Sequence, residues 1–169
     1  MERIILIGYM GAGKTVLGEA LANALNIRFV NLDSDIEHHT EMSIGQIFEQ
    51  YGEDYFRNLE QEYLKNFDPQ ESFVLATGGG TPCYNDQMTM LNSLGTTVYL
   101  HCSNETLFSR LKNEREQRPL IAGLSDDELR ESIQYRMIQR EEIYQKAQII
   151  LPENEHTVAV LSRLLHQKN

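Results

Sequence analysis

Four groups of residues have the types and spacing for phosphate chemistry. The first is Gly8-Tyr9-Met10-Gly11-Ala12-Gly13-Lys14-Thr15, a glycine, four open positions, then Gly-Lys-Thr. Glycines in such a loop let backbone N–H groups turn inward on an anion, the lysine reaches the β- and γ-phosphates, and the threonine hydroxyl ligates a divalent cation. Gly11, Ala12, Gly13, Lys14, Thr15 and Val16 are therefore the expected nucleotide contacts, and Lys14, as a loop residue, is expected to be exposed. The second group is acidic, Asp33 and Asp35, either a site or the first turn of a helix in which Ser34 and Glu37 spell a capping box. The third is the run Gly78-Gly79-Gly80, which implies close approach of a ligand to backbone or a sharp turn. The fourth is basic: Arg110, Lys112, Arg115 and Arg118 crowd into nine residues of a chain whose net charge is −10. Such a stretch suits a lid that carries guanidinium groups onto phosphates, or a solvated loop balanced by Glu114 and Glu116. Arg57, Arg136 and Arg140 complete the set. Arg57 is spaced for ordinary helix ion pairs with Glu53 and Glu60. Arg136 and Arg140 stand one turn apart, where an anion between them would turn repulsion into attraction.

The elements that must position these groups read as alternating strands and helices. Arg3 to Ile7 is a short apolar run directly before the glycine loop, and Val16, Leu17, Ala20, Leu21, Ala24 and Leu25 follow with the spacing of a helix burying one face. Asn26 is a stop, Arg28 to Leu32 a second strand, and Asp33 and Asp35 stand at its exit. Ser43 and Gln46 open a helix that Gly52 closes, and Glu53 starts a longer one ending near Asp68-Pro69. Phe73 to Ala76 is a third strand with the glycine run at its end. Asn85 to Leu94 is helical, Thr96 to Leu100 a fourth strand, and Asn104 caps the next helix. Ser125 caps a helix to about Gln148, Ile149 to Leu151 is a fifth strand, and Val158 to Leu165 a last helix. This alternation marks a doubly wound α/β sheet, in which ligands collect at the carboxyl ends of the strands. His38 and His39 have no partner cluster and receive no role.

Composition narrows the function classes. The chain has 169 residues with 41% hydrophobic and 24% charged, which suits one globular domain. The acidic balance disfavours nucleic acid and anionic membrane as partners, and a site for an anion must be locally basic. Cys83 and Cys102 are too few for a disulfide framework and lack zinc-site spacing. Only five apolar residues precede the glycines at the amino terminus, shorter than a signal-peptide core, and no run approaches a membrane span. A cytoplasmic protein is expected. No internal repeat or low-complexity segment occurs.

Taken in order, the motifs resemble the shikimate kinase family, in the nucleoside-monophosphate-kinase-like branch of P-loop proteins. The resemblance covers nearly the whole chain and rests on Gly8 to Thr15, Asp33-Ser34-Asp35, Gly52 to Glu60, Thr77 to Gly80, Arg118-Pro119-Leu120, and Tyr135-Arg136 followed by Arg140 and Tyr144. It implies a five-stranded parallel sheet flanked by helices, a P-loop kinase fold with a mobile lid at about 110–123 and an acceptor-binding segment at about 33–60, all in one domain over 1–169. It implies transfer of the ATP γ-phosphate to the 3-hydroxyl of shikimate by a monomer that uses Mg²⁺. Carried over by position, Lys14, Asp35 and Arg118 are the catalytic residues, and Thr15 and Asp33 hold the metal. Arg110 stacks on adenine and Arg118 reaches the transferring phosphoryl. Asp33 and Asp35 line the acceptor site, where Asp35 hydrogen-bonds the shikimate hydroxyls. Arg57 and Arg136 clamp its carboxylate beside the backbone of Gly78, Gly79 and Gly80. The chain departs from the family pattern at Lys146 and Gln148, where an acid and an aspartate are expected. A kinase of gluconate or of a nucleoside monophosphate would share the loop and lid. A GTPase-like switch would require an Asn-Lys-x-Asp motif, which does not occur.

Overall fold

The computed structural model describes residues 1–67, 70–118 and 120–168. The expected helix end at Asp68-Pro69, and Pro119 of the basic stretch, lie outside the described residues. The strands are β1 (Arg3–Ile7), β2 (Arg28–Asn31), β3 (Phe73–Ala76), β4 (Thr96–Leu100) and β5 (Ile149–Leu151). The helices are α1 (Lys14–Leu25), α2 (Leu32–Thr40), α3 (Ile44–Asn66), α4 (Gln87–Leu94), α5 (Asn104–Leu111), α6 (Asp126–Tyr144) and α7 (Val158–Lys168). All strand pairs are parallel, in the order β2-β3-β1-β4-β5. The continuous apolar runs explain this: Ile4 to Ile7 and Phe73 to Ala76 are buried on both faces, as central strands of a parallel sheet must be. Because β3 lies on one side of β1 and β4 on the other, the chain changes direction there and opens a crevice at the carboxyl end of β1. The phosphate loop leaves β1 at that point. Among the described residues no helix is long and apolar enough to cross a membrane.

Where the elements differ from expectation, a specific contact is responsible. Helix α1 buries Leu17, Gly18, Leu21 and Ala22, and leaves Val16 76% exposed. A Cβ at Gly18 would lie 2.6 Å from the Phe29 ring and 3.1 Å from Leu6, so the helix meets the sheet at Gly18 and turns Val16 outward. At the next junction the Asn31 side chain accepts from the Ser34 N–H, so Asn31, not Ser34, caps α2 and the strand ends one residue early. Ser103 rather than Asn104 caps α5, accepting from the Thr106 N–H. Asn85 and Asp86 take positive φ and hold back the start of α4 to Gln87. Helix α6 stops at Tyr144, short of Gln148, whose N–H is bound to the Thr97 hydroxyl of β4 and starts the turn into β5. The capping boxes at Ser43 and Ser125 and the break at Gly52 (φ 82) form as expected.

Candidate active site

The phosphate loop carries positive φ at Gly8, Gly11 and Gly13, the left-handed turns that point its N–H groups inward. Lys14 is not the exposed loop residue expected: it is 8% exposed, and its Nζ donates to Gly8 O at 2.7 Å and Tyr9 O at 2.9 Å. Burial lowers its pKa to about 8, with Asp33 the main opposing influence. From the last turn of α5, Arg110 Nη1 donates to Gly11 O at 3.0 Å and Ala12 O at 3.2 Å. Arg110 therefore ties the rim of the loop in place while lining the cavity above it. That cavity, about 640 Å³, takes in every residue from Gly11 to Val16, with Asn31, Asp33, Gly78, Gly79, Arg110 and Arg118. Arg118 pairs with Glu114 at 2.7 Å and lies close enough to act on both Lys14 and Asp33. Within the stretch expected as a lid, Ile121 is buried, and Arg115 donates to Leu124 O and to Asp126 at the start of α6.

The two aspartates part company. Residues two apart on a helix are separated by about 200° and cannot share a face. Asp33 faces the phosphate loop, and its Oδ1 is buried without a hydrogen-bond partner among the described residues. Burial raises its pKa, and Lys14 and then Arg57 pull the other way. Asp35 instead accepts from the Tyr63 hydroxyl at 2.5 Å and lines a separate cavity of about 630 Å³ with Ile36 and Tyr63. The side chain that does join Thr15 is Asn31, whose Nδ2 donates to Thr15 Oγ1 at 3.3 Å.

Arg57 is an ion pair, but not a solvated one. It is 4% exposed, and its Nη1 donates to Glu60 Oε2 at 2.7 Å while Nε and Nη2 donate to Glu53 Oε1 at 3.2 and 2.8 Å. Glu60 is fully buried and also accepts from the Thr81 hydroxyl. Burial pushes the Glu60 carboxyl up, and Arg57 opposes the shift. The glycine run makes room for these groups. A Cβ at Gly78 would fall 2.9 Å from Asp33 Oδ1 and Thr81 Oγ1, one at Gly79 would fall 3.0 Å from Met10 N, and one at Gly80 would overlap the Arg57 guanidinium. Gly78 and Gly79 line the cavity; Gly80 backs Arg57 instead. Arg136 is half-buried beside Tyr9, where burial raises the phenol's pKa and Arg136 is the first influence lowering it. Arg140 is buried near the same ring, its Cζ 5.7 Å from the Tyr9 centroid. Neither arginine lines the cavity.

A family model described as shikimate kinase matches residues 10–168. The chain belongs to the shikimate kinase family. The shikimate kinase of Bacteroides fragilis is 45% identical over 150 residues, covering 89% of this chain and 84% of that one. The solved shikimate kinase of Bacteroides thetaiotaomicron superposes with a TM-score of 0.90 at 38% identity, covering 99% of this chain and 98% of that one. The Acinetobacter baumannii enzyme, solved in complex with shikimate, gives 0.86 at 30% identity, covering 99% of this chain and 92% of that one. The sheet, its flanking helices and the phosphate loop are thus those of a shikimate kinase, a kinase that draws on ATP. Two residues of the site carry no signal strong enough to find from sequence. Glu60 reads as a surface helix acid until α3 is seen to bury it. Asn31 reads as the polar end of a strand.

Proposed function

We propose that the chain transfers the γ-phosphoryl group of ATP to the 3-hydroxyl of shikimate, giving shikimate 3-phosphate in aromatic amino-acid biosynthesis. The observation that carries this reading is the cavity in which Asp33, with a buried oxygen that has no partner among the described residues, faces Lys14 and Thr15 while the Arg57 network stands behind it. Thr15 and Asp33 offer oxygen donors of the kind Mg²⁺ takes, so they would hold the ion, assisted by phosphate oxygens and water. When bound, Mg²⁺ neutralises charge on the phosphates. Lys14 and Arg118 supply the remaining positive charge around the transferring group. Asp33 also takes the acceptor hydroxyl, the part that position alone gave to Asp35. A loose transition state demands orientation of that hydroxyl more than a strong base. Arg57 and Arg136 bind the acceptor carboxylate, since guanidinium pairs with carboxylate bidentately. The whole of 1–169 acts as one domain, the lid at about 110–123 closes over the nucleotide, and the enzyme works as a cytoplasmic monomer. The acidic surface supports small-molecule rather than nucleic-acid partners.

The test is a coupled assay of ADP release with shikimate, gluconate and nucleoside monophosphates offered separately. Turnover with shikimate alone is the expected result. Turnover with another acceptor would keep the loop and lid but discard the carboxylate site, and silence with every acceptor would remove the kinase reading.

A further inference from the structure

Tyr84 directly follows a short 3-10 turn, Thr81–Cys83, and the chemistry above gives it no part. Its ring nevertheless lies against the Arg57 guanidinium, with Cζ 4.4 Å from the ring centroid. Its hydroxyl donates to Glu53 Oε1 at 2.9 Å, the same oxygen that accepts from Arg57 Nε and Nη2. One side chain therefore holds both members of an ion pair, the cation by its ring and the anion by its hydroxyl.

The arrangement divides the guanidinium. Of its five N–H groups, Glu53 takes those of the Nε and Nη2 edge and Glu60 takes one on Nη1. Among the described residues, one N–H on each terminal nitrogen remains for a ligand carboxylate. Glu53 competes for those N–H groups. Its side chain is 45% exposed, and a swing across the guanidinium would put a protein carboxylate where a ligand carboxylate belongs. The Tyr84 hydroxyl is the contact that opposes the swing. Burial pulls the Glu53 carboxyl up, but the hydrogen bonds from Arg57 and Tyr84 outweigh it and hold the group charged, so the competition persists at neutral pH.

We propose that Tyr84 is a positioning residue for acceptor specificity: its ring carries Arg57, and its hydroxyl keeps Glu53 on the outer edge, leaving the terminal N–H groups for the carboxylate of the acceptor. This rests on the reading that Arg57 binds that carboxylate. The effect belongs to acceptor binding and not to phosphoryl transfer, because neither Tyr84 nor Glu53 lines the nucleotide cavity.

The experiment is steady-state kinetics in shikimate and in ATP for the natural chain, Tyr84→Phe, Tyr84→Ala and Arg57→Ala, with a thermal melt of each. Tyr84→Phe keeps the ring and loses one hydrogen bond, which should raise KM for shikimate about fivefold. Tyr84→Ala loses the ring as well and should raise it further, and Glu53→Gln added to Tyr84→Phe should bring KM back down. The kcat and the KM for ATP should stay unchanged in Tyr84→Phe. The proposal is overturned if Tyr84→Phe leaves KM for shikimate unchanged while Arg57→Ala raises it, or if the variant moves kcat and both KM values together, the mark of a general structural loss. An unchanged KM in Arg57→Ala would instead remove the underlying reading of Arg57, and the role of Tyr84 with it.

Discussion

The phosphate side and the acceptor side of the crevice are built on opposite principles. On the phosphate side, residues 8–15 carry the chemistry in one unbroken stretch, with backbone N–H groups and one lysine anchored to its own loop carbonyls. On the side proposed for the acceptor, Asp33, Arg57, Glu60, the glycine run and Tyr84 come from α2, α3 and the segment after β3, and packing brings them together. The first kind of site tolerates change around it but not within it. In the second, each member is held by the others, so loss of a supporting residue should be felt in binding and in stability together.

Substitutions can break this contrast at either end. The largest effect should follow Lys14→Ala. Removing one preorganised charge from the transferring group costs about 10²–10³-fold in kcat. The two buried carbonyls it satisfied lose their donor, so the fold should lose about 1–3 kcal/mol, which thermal melting would read as a fall of a few to about 10 °C. Near-normal turnover, or an unfolded variant, would contradict the contrast from this side. Next is Glu60→Gln. Breaking a buried ion pair from one partner is expensive, and because Arg57 keeps Glu53 the loss should be about 2–3 kcal/mol in urea unfolding. A rise in KM for shikimate should accompany it, with KM for ATP unmoved. A stable variant with ordinary shikimate affinity would show that the acceptor side is not held by its own burial.

The smallest effect is a pH dependence that sharpens the picture of Lys14. Burial favours its neutral form, and with a pKa near 8 it is charged below that pH and loses its proton above it. The kcat/KM for ATP reports the free enzyme, so it should be level below about pH 8 and fall as pH rises further, toward tenfold per unit. A profile flat to pH 10 would mean that another group fixes the charge there.

What sequence could and could not show follows the same division. The loop, its flanking strand and helix, and all five strands were legible, because each depends on local spacing or on a continuous apolar run. The rotation of α1 was not, because it depends on Gly18 meeting Phe29 across the sheet. Glu53, Arg57 and Glu60 were legible as a helix ion-pair pattern, yet the burial of Arg57 and Glu60 against the glycine run was invisible in one dimension. The assignment of Asp33 and Asp35 turned on a single cap. With Ser34 as the first residue outside the helix, both acids could be imagined at the site; with Asn31 as the cap, both lie on α2 and only Asp33 can face Lys14.

That choice is open to one direct measurement, kcat at saturating ATP and shikimate for Asp33→Asn beside Asp35→Asn. Asp33→Asn should lose about 10²-fold or more, as expected when a group that orients the reacting hydroxyl is removed. Asp35→Asn, which removes a charge outside the nucleotide cavity and keeps an oxygen for the Tyr63 hydroxyl, should keep kcat nearly unchanged. The reverse pattern, a crippled Asp35→Asn and an active Asp33→Asn, would contradict the placement of the acceptor beside Asp33.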